Sequence, residues 1–349
     1  MNRATNIAEY RARIALYCTR IAPYRIWIAL AAATLACIAV PWVITNDYFV
    51  NLASQILIYA LLALSVNLLL GYGGMVSLGH AAFLGLTGYS TILLVLAGYD
   101  QLTTAIISVI FSTACGALFG VLSLRASGIG FLMITLALGQ IVWGIAYRAN
   151  ELTGGDNGIT LPARPVPFGI DINPAMNFYY FTLIVFAGAL YCIWRFTRSP
   201  FGAALCGTRD QPRRMSMLGH NVWLIQFLTF VIASFWGSVA GMLYVYYNLF
   251  MSPHAISLQQ SAEALLMAIL GGASSLTGPI IGAAIITIVK NVLSTYIERW
   301  NILLGLIFVV VIMFMPSGLV PGCRQLWGYL RNKRKPRAPE TKPNPERAA

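Results

Sequence analysis

Hydrophobic positions along this chain come in long unbroken blocks, not in the alternation of a half-buried strand. Runs free of Asp, Glu, Lys and Arg at 26–46, 101–124, 126–147, 172–194, 264–289 and 300–323 each reach the length a helix needs to cross hydrocarbon, roughly 20 residues. The longer runs 48–99 and 215–262 hold more than one such segment. Backbone in lipid must satisfy its own hydrogen bonds. Helical length and the absence of period-two alternation therefore exclude a β-barrel and predict an all-α polytopic membrane protein.

Composition agrees: 58% of the 349 residues are hydrophobic and 10% charged, against about a quarter charged in soluble domains. The net charge of +12 raises the question of nucleic acid, and its placement answers it. Basic residues gather in the lead 1–25, around Arg195, Arg198, Arg209, Arg213 and Arg214, and in the tail 323–349. Short basic flanks beside membrane segments mark the cytoplasmic side, so the excess is read as a topology signal and no nucleic-acid partner is expected. The first run follows an arginine-rich lead and exceeds the core of a cleaved signal, which predicts a retained helix.

With the basic flanks inside, the chain divides into about ten segments: 26–45, 51–70, 80–98, 103–124, 129–147, 178–197, 222–248, 262–272, 279–297 and 301–322. Both termini then lie in the cytoplasm, around a membrane domain spanning 26–322. Residues 148–177 form an external loop, and 198–221 a basic cytoplasmic one. The piece 262–272 is short enough to be a half-helix.

Two breaks interrupt the hydrocarbon-loving sequence. "LGYGGMVSLGHAAFLG" at 70–85 and "LGGASSLTGPIIG" at 270–282 share a Leu-Gly start, a Ser-Leu pair and a later Gly. Duplicated units with broken helices meeting near the midplane are common in transporters; chance similarity of two Gly-rich breaks is the alternative. Such breaks supply polar backbone at membrane depth, and Gly74, Ser77, Gly79 and His80, with Gly271, Gly272, Ser274 and Ser275 opposite, are the candidates to line a pathway. For His80 a packing role in the core is the competing reading.

Catalytic or energy-converting chemistry is hard to find. None of the four lysines follows a Gly, so no phosphate loop exists. Three histidines are too few and scattered for a metal cluster, and the six cysteines form no CxxC pair. Neither a catalytic nor a metal site is expected, nor a cofactor bound by this chain. Intramembrane ionisable groups, which ion-driven carriers need, reduce to Glu263 and Lys290, both placed near segment ends.

Attention then falls on the loop "RSPFGAALCGTRDQPRRMSMLGHN". Asp210 suits an N-cap, Pro212 a first helical turn and Gly219 a stop. The short helix between would set Met215 and Leu218 on one apolar side, with Arg213 and Arg214 free for a partner or for phospholipid. An interfacial helix on lipid headgroups is the simpler alternative. Outside, Gly154, Gly155, Asp156 and Asn157 in "ELTGGDNGIT" read as a tight turn lacking the acidic ligands of a calcium loop, or as a lip over an external opening. The GxxxG pairs Gly116–Gly120, Gly237–Gly241 and Gly278–Gly282 read as packing. Trp143, Tyr244, Tyr246, Tyr247 and Trp300 read as interface anchors.

Taken together, "LLLGYGGMVSLGHAAFLGLTGY", "ELTGGDNGI", "RDQPRRMSMLGHN", "AILGGASSLTGPIIGA" and "MPSGLV" resemble the permease subunits of branched-chain amino-acid ABC importers, of LivM type. The resemblance runs over roughly 48–322. It implies an ABC importer permease fold in the bacterial cytoplasmic membrane, working with a second LivH-type permease and two cytoplasmic ATPase subunits that use the ATP. It also implies an extracytoplasmic solute-binding protein, which would meet the chain at 154–157. Under it the segment 209–219 is the coupling helix, with Arg209, Asp210, Arg213, Arg214, Met215, Leu218 and Gly219 as its contacts; Met215 departs from the small residue frequent there. Relatives of this type also handle urea, short amides and aromatic acids. An ATPase-independent channel is the alternative from another class, and a membrane enzyme a distant third.

Overall fold

The computed structural model describes residues 46–162, 164, 172–273 and 275–296, with 302, 305, 306, 313 and 318 besides. The expected segments 26–45 and 301–322, the lead 1–25 and the tail 323–349 lie outside this described set or almost wholly so.

Each remaining uncharged run becomes helix. In chain order these are α1 (Asp47–Asn67), α2 (His80–Leu96), α3 (Gln101–Ser123), α4 (Ile129–Arg148) and α5 (Ala175–Thr197). Two short helices follow, α6 (Pro200–Asp210) and α7 (Pro212–Met217), and then α8 (Val222–Asn248), α9 (Leu258–Gly271) and α10 (Thr277–Tyr296). The helices start where polar side chains replace the missing intrahelical acceptors. Asn46 caps the Tyr48 amide, Asp100 that of Leu102, Ser199 that of Gly202, Asn221 that of Leu224 and Ser257 that of Gln260. Among the described residues five helices are long and apolar enough to cross a membrane: Asp47–Tyr72, Gln101–Ser123, Ile129–Arg148, Ala175–Thr197 and Val222–Asn248. The 14 residues of α9 rise only about 21 Å, short of the roughly 30 Å of hydrocarbon.

α1 runs through the centre and packs on α5, α8, α9 and α10. Its most apolar stretch is 72% buried, against 28–44% for the four other long helices, because it is hydrophobic all round and has neighbours on every side. The outer helices keep apolar faces outward, such as Ile106, Ile110 and Leu118 on α3 and Met133, Ile141 and Ile145 on α4, which suits a solvent of lipid. α8 lies against α2 and α3. There Phe83 forms the hub of an aromatic cluster, edge-on to His80 and Phe230 and tilted against Phe119. The GxxxG glycines pack as expected: Gly116 against Ser234, and Gly241 against the Leu84 backbone.

Several buried hydroxyls are satisfied locally: those of Ser54, Thr87, Thr91, Ser108 and Thr229 each bond the carbonyl four residues back. Hydroxyls also bridge helices: Ser238 Oγ donates to Ser112 Oγ at 2.8 Å, and Ser112 Oγ to the Phe83 carbonyl at 3.0 Å. Ser112→Ala should cost under about 1 kcal/mol, the usual worth of such bridges in membranes, measured as a small drop in thermal stability in detergent.

Three details depart from the sequence reading. Two-residue strands β1 (Ile159–Thr160) and β2 (Phe250–Met251) pair antiparallel, tying the loop after α4 to the α8–α9 connection. Tyr246 is buried in the core, not at an interface, and Trp300 lies outside the described residues. Glu263 and Lys290 come together instead of marking segment ends, because α9 and α10 form an antiparallel hairpin. Lys290 Nζ lies 2.9 Å from Glu263 Oε2, and the carboxylate side chain is 4% exposed.

Candidate functional site

The first glycine break begins inside a helix. α1 widens into a π turn, Leu68–Tyr72, a form that recurs at functional sites. The chain then leaves the helix at Gly73 and Gly74 and crosses to α2 through Met75–Gly79. Ser77, Gly79 and His80 are buried, whereas Gly74 is exposed. The crossing is held by neighbours: the Leu78 amide donates to Thr135 Oγ1 at 3.3 Å and the Ala81 amide to Ser261 Oγ at 3.1 Å. His80 Nδ1 lies 3.3 Å from Ser77 Oγ. His80 is fully buried and edge-on to Phe83.

The second break follows α9. Gly271 and Gly272 are buried, and Ser275 Oγ accepts the Gly278 amide at 3.0 Å at the head of α10. Ser274 lies outside the described residues. The structure brings the two breaks together. Asn67 Nδ2 donates to the Ser275 carbonyl at 3.2 Å, and Gly71 approaches the Ala273 carbonyl so closely that a methyl group there would overlap it. Sequence reasoning passed over Asn67 and Gly71. The available signal was the one amide side chain between Gln55 and Gly71, four residues before that glycine.

Next to the first break stands the basic loop. α6 and α7 form a corner, with Gln211 between them at φ −148°, ψ 83°. Pro212 excludes the helical conformation from the residue before it, so the break falls at Gln211. The predicted cap is thereby corrected: Asp210 ends α6, its carboxylate 2.9 Å from Arg209 Nε, and it caps nothing in α7. That hydrogen bond pushes the Arg209 guanidinium further above its ordinary value. Gly219 does stop the helix, at φ +83°; the His220 amide reaches the Met215 carbonyl and the Gly219 amide that of Ser216, a closure that needs a left-handed residue. Met215 and Leu218 do not share an outward apolar side. Met215 turns back onto Gly207 of α6, and the exposed apolar tip is Met217 with Leu218, 86% and 70% exposed. Arg213 and Arg214 are exposed beside it.

At the opposite end, "ELTGGDNGI" folds as one helical turn, Asn150–Thr153, and a 3-10 turn, Gly155–Asn157. Asp156 reaches the rim of an open cavity of about 370 Å³ lined also by Gln140, Trp143, Tyr147, His254 and Gln259. The Trp143 and Tyr147 rings stack at 5.2 Å. Among the described residues no group of three or more His, Cys, Asp or Glu is placed to hold a metal.

Comparison with known proteins places this arrangement. The family described as the branched-chain amino acid transport system permease component matches residues 48–314. The chain belongs to this permease family. It is 27% identical over 319 residues to the high-affinity branched-chain amino acid transport system permease protein LivM of Salmonella typhimurium, covering 84% of this chain and 75% of the relative. The Escherichia coli K12 LivM gives the same identity and coverage. LivH of Escherichia coli K12 is 23% identical over 300 residues, 75% of this chain and 91% of LivH. No solved structure gives a significant match. The chain is thus a LivM-type, multi-pass membrane transport permease, and both breaks and the α6–α7 corner fall inside the matched region.

Proposed function

We propose that the chain is the membrane-spanning permease subunit of an ATP-driven importer for branched-chain or other hydrophobic amino acids. It lines the translocation pathway together with a second, LivH-type permease. Two cytoplasmic ATPase subunits bind the α6–α7 corner and use the ATP, and an extracytoplasmic solute-binding protein delivers substrate at Gly154–Asn157. Both termini are cytoplasmic in this reading. The family match over 48–314 carries it, and the corner supports it: an exposed apolar tip flanked by Arg213 and Arg214 suits a protein cleft better than open water. The two breaks, packed on each other inside the bundle, supply polar backbone at membrane depth that lipid does not reach. Closure of the ATPases would push the corner, and the permeases would rock between outward and inward access.

Uptake of labelled leucine into proteoliposomes tests this. The chain with its partner permease, ATPases and binding protein should transport only with ATP inside, and the chain by itself should transport nothing. Flux through the chain reconstituted alone would overturn the reading in favour of a channel. Competition by urea, short amides or aromatic acids would reassign the substrate and leave the subunit's role standing. Met217→Glu combined with Leu218→Glu should abolish copurification of the ATPases and lower uptake more than tenfold, by putting carboxylates into an apolar contact. Membrane abundance should hold, since both side chains lie on the surface.

A further inference from the structure

Arg209 of α6 reaches the first break with a hydrogen bond of fixed geometry. Its Nη1 donates to the Gly71 carbonyl at 2.6 Å, while its Nε donates to Asp210 at 2.9 Å. Gly71 lies in the last turn of the helix, where carbonyls run out of intrahelical donors, so the guanidinium supplies a missing partner. The aliphatic stem crosses Gly74, where an added Cβ would come within 2.6 Å of Arg209 Cγ. Leu205 of the same helix is fully buried and packs beside Gly73.

The contacts continue on both sides. Outward, α7 is seated on α6 through Met215 against Gly207, so the Met217–Leu218 tip and Arg209 belong to one packed corner. Inward, Gly71 abuts the Ala273 carbonyl and Asn67 holds the Ser275 carbonyl. The Arg209 guanidinium is thus the hydrogen-bonded link between this corner and the two breaks.

We propose that Arg209 is a positioning residue that couples the cytoplasmic corner to the paired glycine breaks, moving the π turn and the Ala273 segment with the loop. This rests on the reading of α6–α7 as the ATPase-facing corner. The planar guanidinium suits the task because two of its donors keep a fixed angle between Asp210 and Gly71. An ammonium on a flexible stem keeps the charge and loses that angle. The π turn suits it as the responding element, since a single wide turn differs from α-helix only by the register of a few hydrogen bonds.

The test uses the complete importer in proteoliposomes, with solute uptake and ATP hydrolysis read on the same vesicles at matched permease content. Arg209→Met should lower solute transported per ATP about tenfold, the scale of a coupling free energy of this kind, with the ATPases still bound. Arg209→Lys should recover less than half of the loss. Gly74→Ala, which displaces the stem and adds left-handed strain at φ +68°, should also lower the ratio. With thermal stability read alongside to account for that strain, the ratio of the double variant should be no worse than that of Arg209→Met, because both changes cut one connection. An unchanged ratio in Arg209→Met overturns the proposal. Loss of the ATPases from that complex overturns it too, by placing Arg209 in the ATPase contact, while leaving the importer reading intact. Failure of the unaltered chain to assemble with ATPases instead overturns the importer reading itself. If Arg209→Met does not reach the membrane, Arg209→Lys decides: an unaltered ratio there overturns the proposal, and a lowered one supports it.

Discussion

Gly71→Ala should remove most of the chain from the membrane and lower uptake more than tenfold. The added methyl would overlap the Ala273 carbonyl and come within 2.5 Å of Asn67 Oδ1. Neither can retreat cheaply. The carbonyl is backbone of the second break, and the Asn67 side chain is fully buried and tied to Ser275. Overpacking against a rigid neighbour costs about 3 kcal/mol, and here it must also push the two breaks apart. Gly98→Ala is the matched control. Gly98 has φ +84°, and a methyl group added there would meet nothing within 4 Å, so only left-handed strain of about 1 kcal/mol remains. Thermal unfolding in detergent and leucine uptake, measured side by side, should separate the two variants clearly. Equal behaviour would mean the breaks do not touch in the membrane.

Glu263→Ala should be the other severe change. It leaves Lys290, only partly exposed at 25%, facing the space of a carboxylate that was 4% exposed and also accepted a hydrogen bond from Gln259 at 3.3 Å. Removing one partner of a buried pair costs about 3 kcal/mol, whereas replacing both by apolar residues of similar volume is often neutral. The double change Glu263→Leu, Lys290→Leu should therefore recover most of the thermal stability that Glu263→Ala loses. If the double variant also recovers uptake, the pair is structural. If it is stable yet inactive, the pair also serves transport.

The helices were legible because a membrane makes charge placement and helix length nearly the same information. The predicted segment 129–147 became Ile129–Arg148, and 222–248 became Val222–Asn248, since a charged or capping residue stands where the hydrocarbon ends. Gly219 was legible as a stop from its chemistry. The cap at Asp210 was misread because α6 was not foreseen. A helix opening at Ser199–Pro200 absorbs Asp210 into its last turn, and Pro212 then forces the boundary onto Gln211. Met215 was misread for a related reason, since the corner between α6 and α7 turns it back onto Gly207.

Uncharged runs and basic flanks by themselves determined that this chain is a polytopic helical protein, and the glycine-bearing stretches determined where its helices are interrupted. These are local properties: each depends on a window no longer than one helix and on the lipid around it. Only the tertiary structure decided that Gly71 meets Ala273, that Glu263 meets Lys290 and that Arg209 reaches Gly71. Those partners stand 202, 27 and 138 positions apart in the sequence. What selects them is the packing of small residues that lets backbones approach, together with the need of every buried charge and carbonyl for a partner. No single segment carries that information.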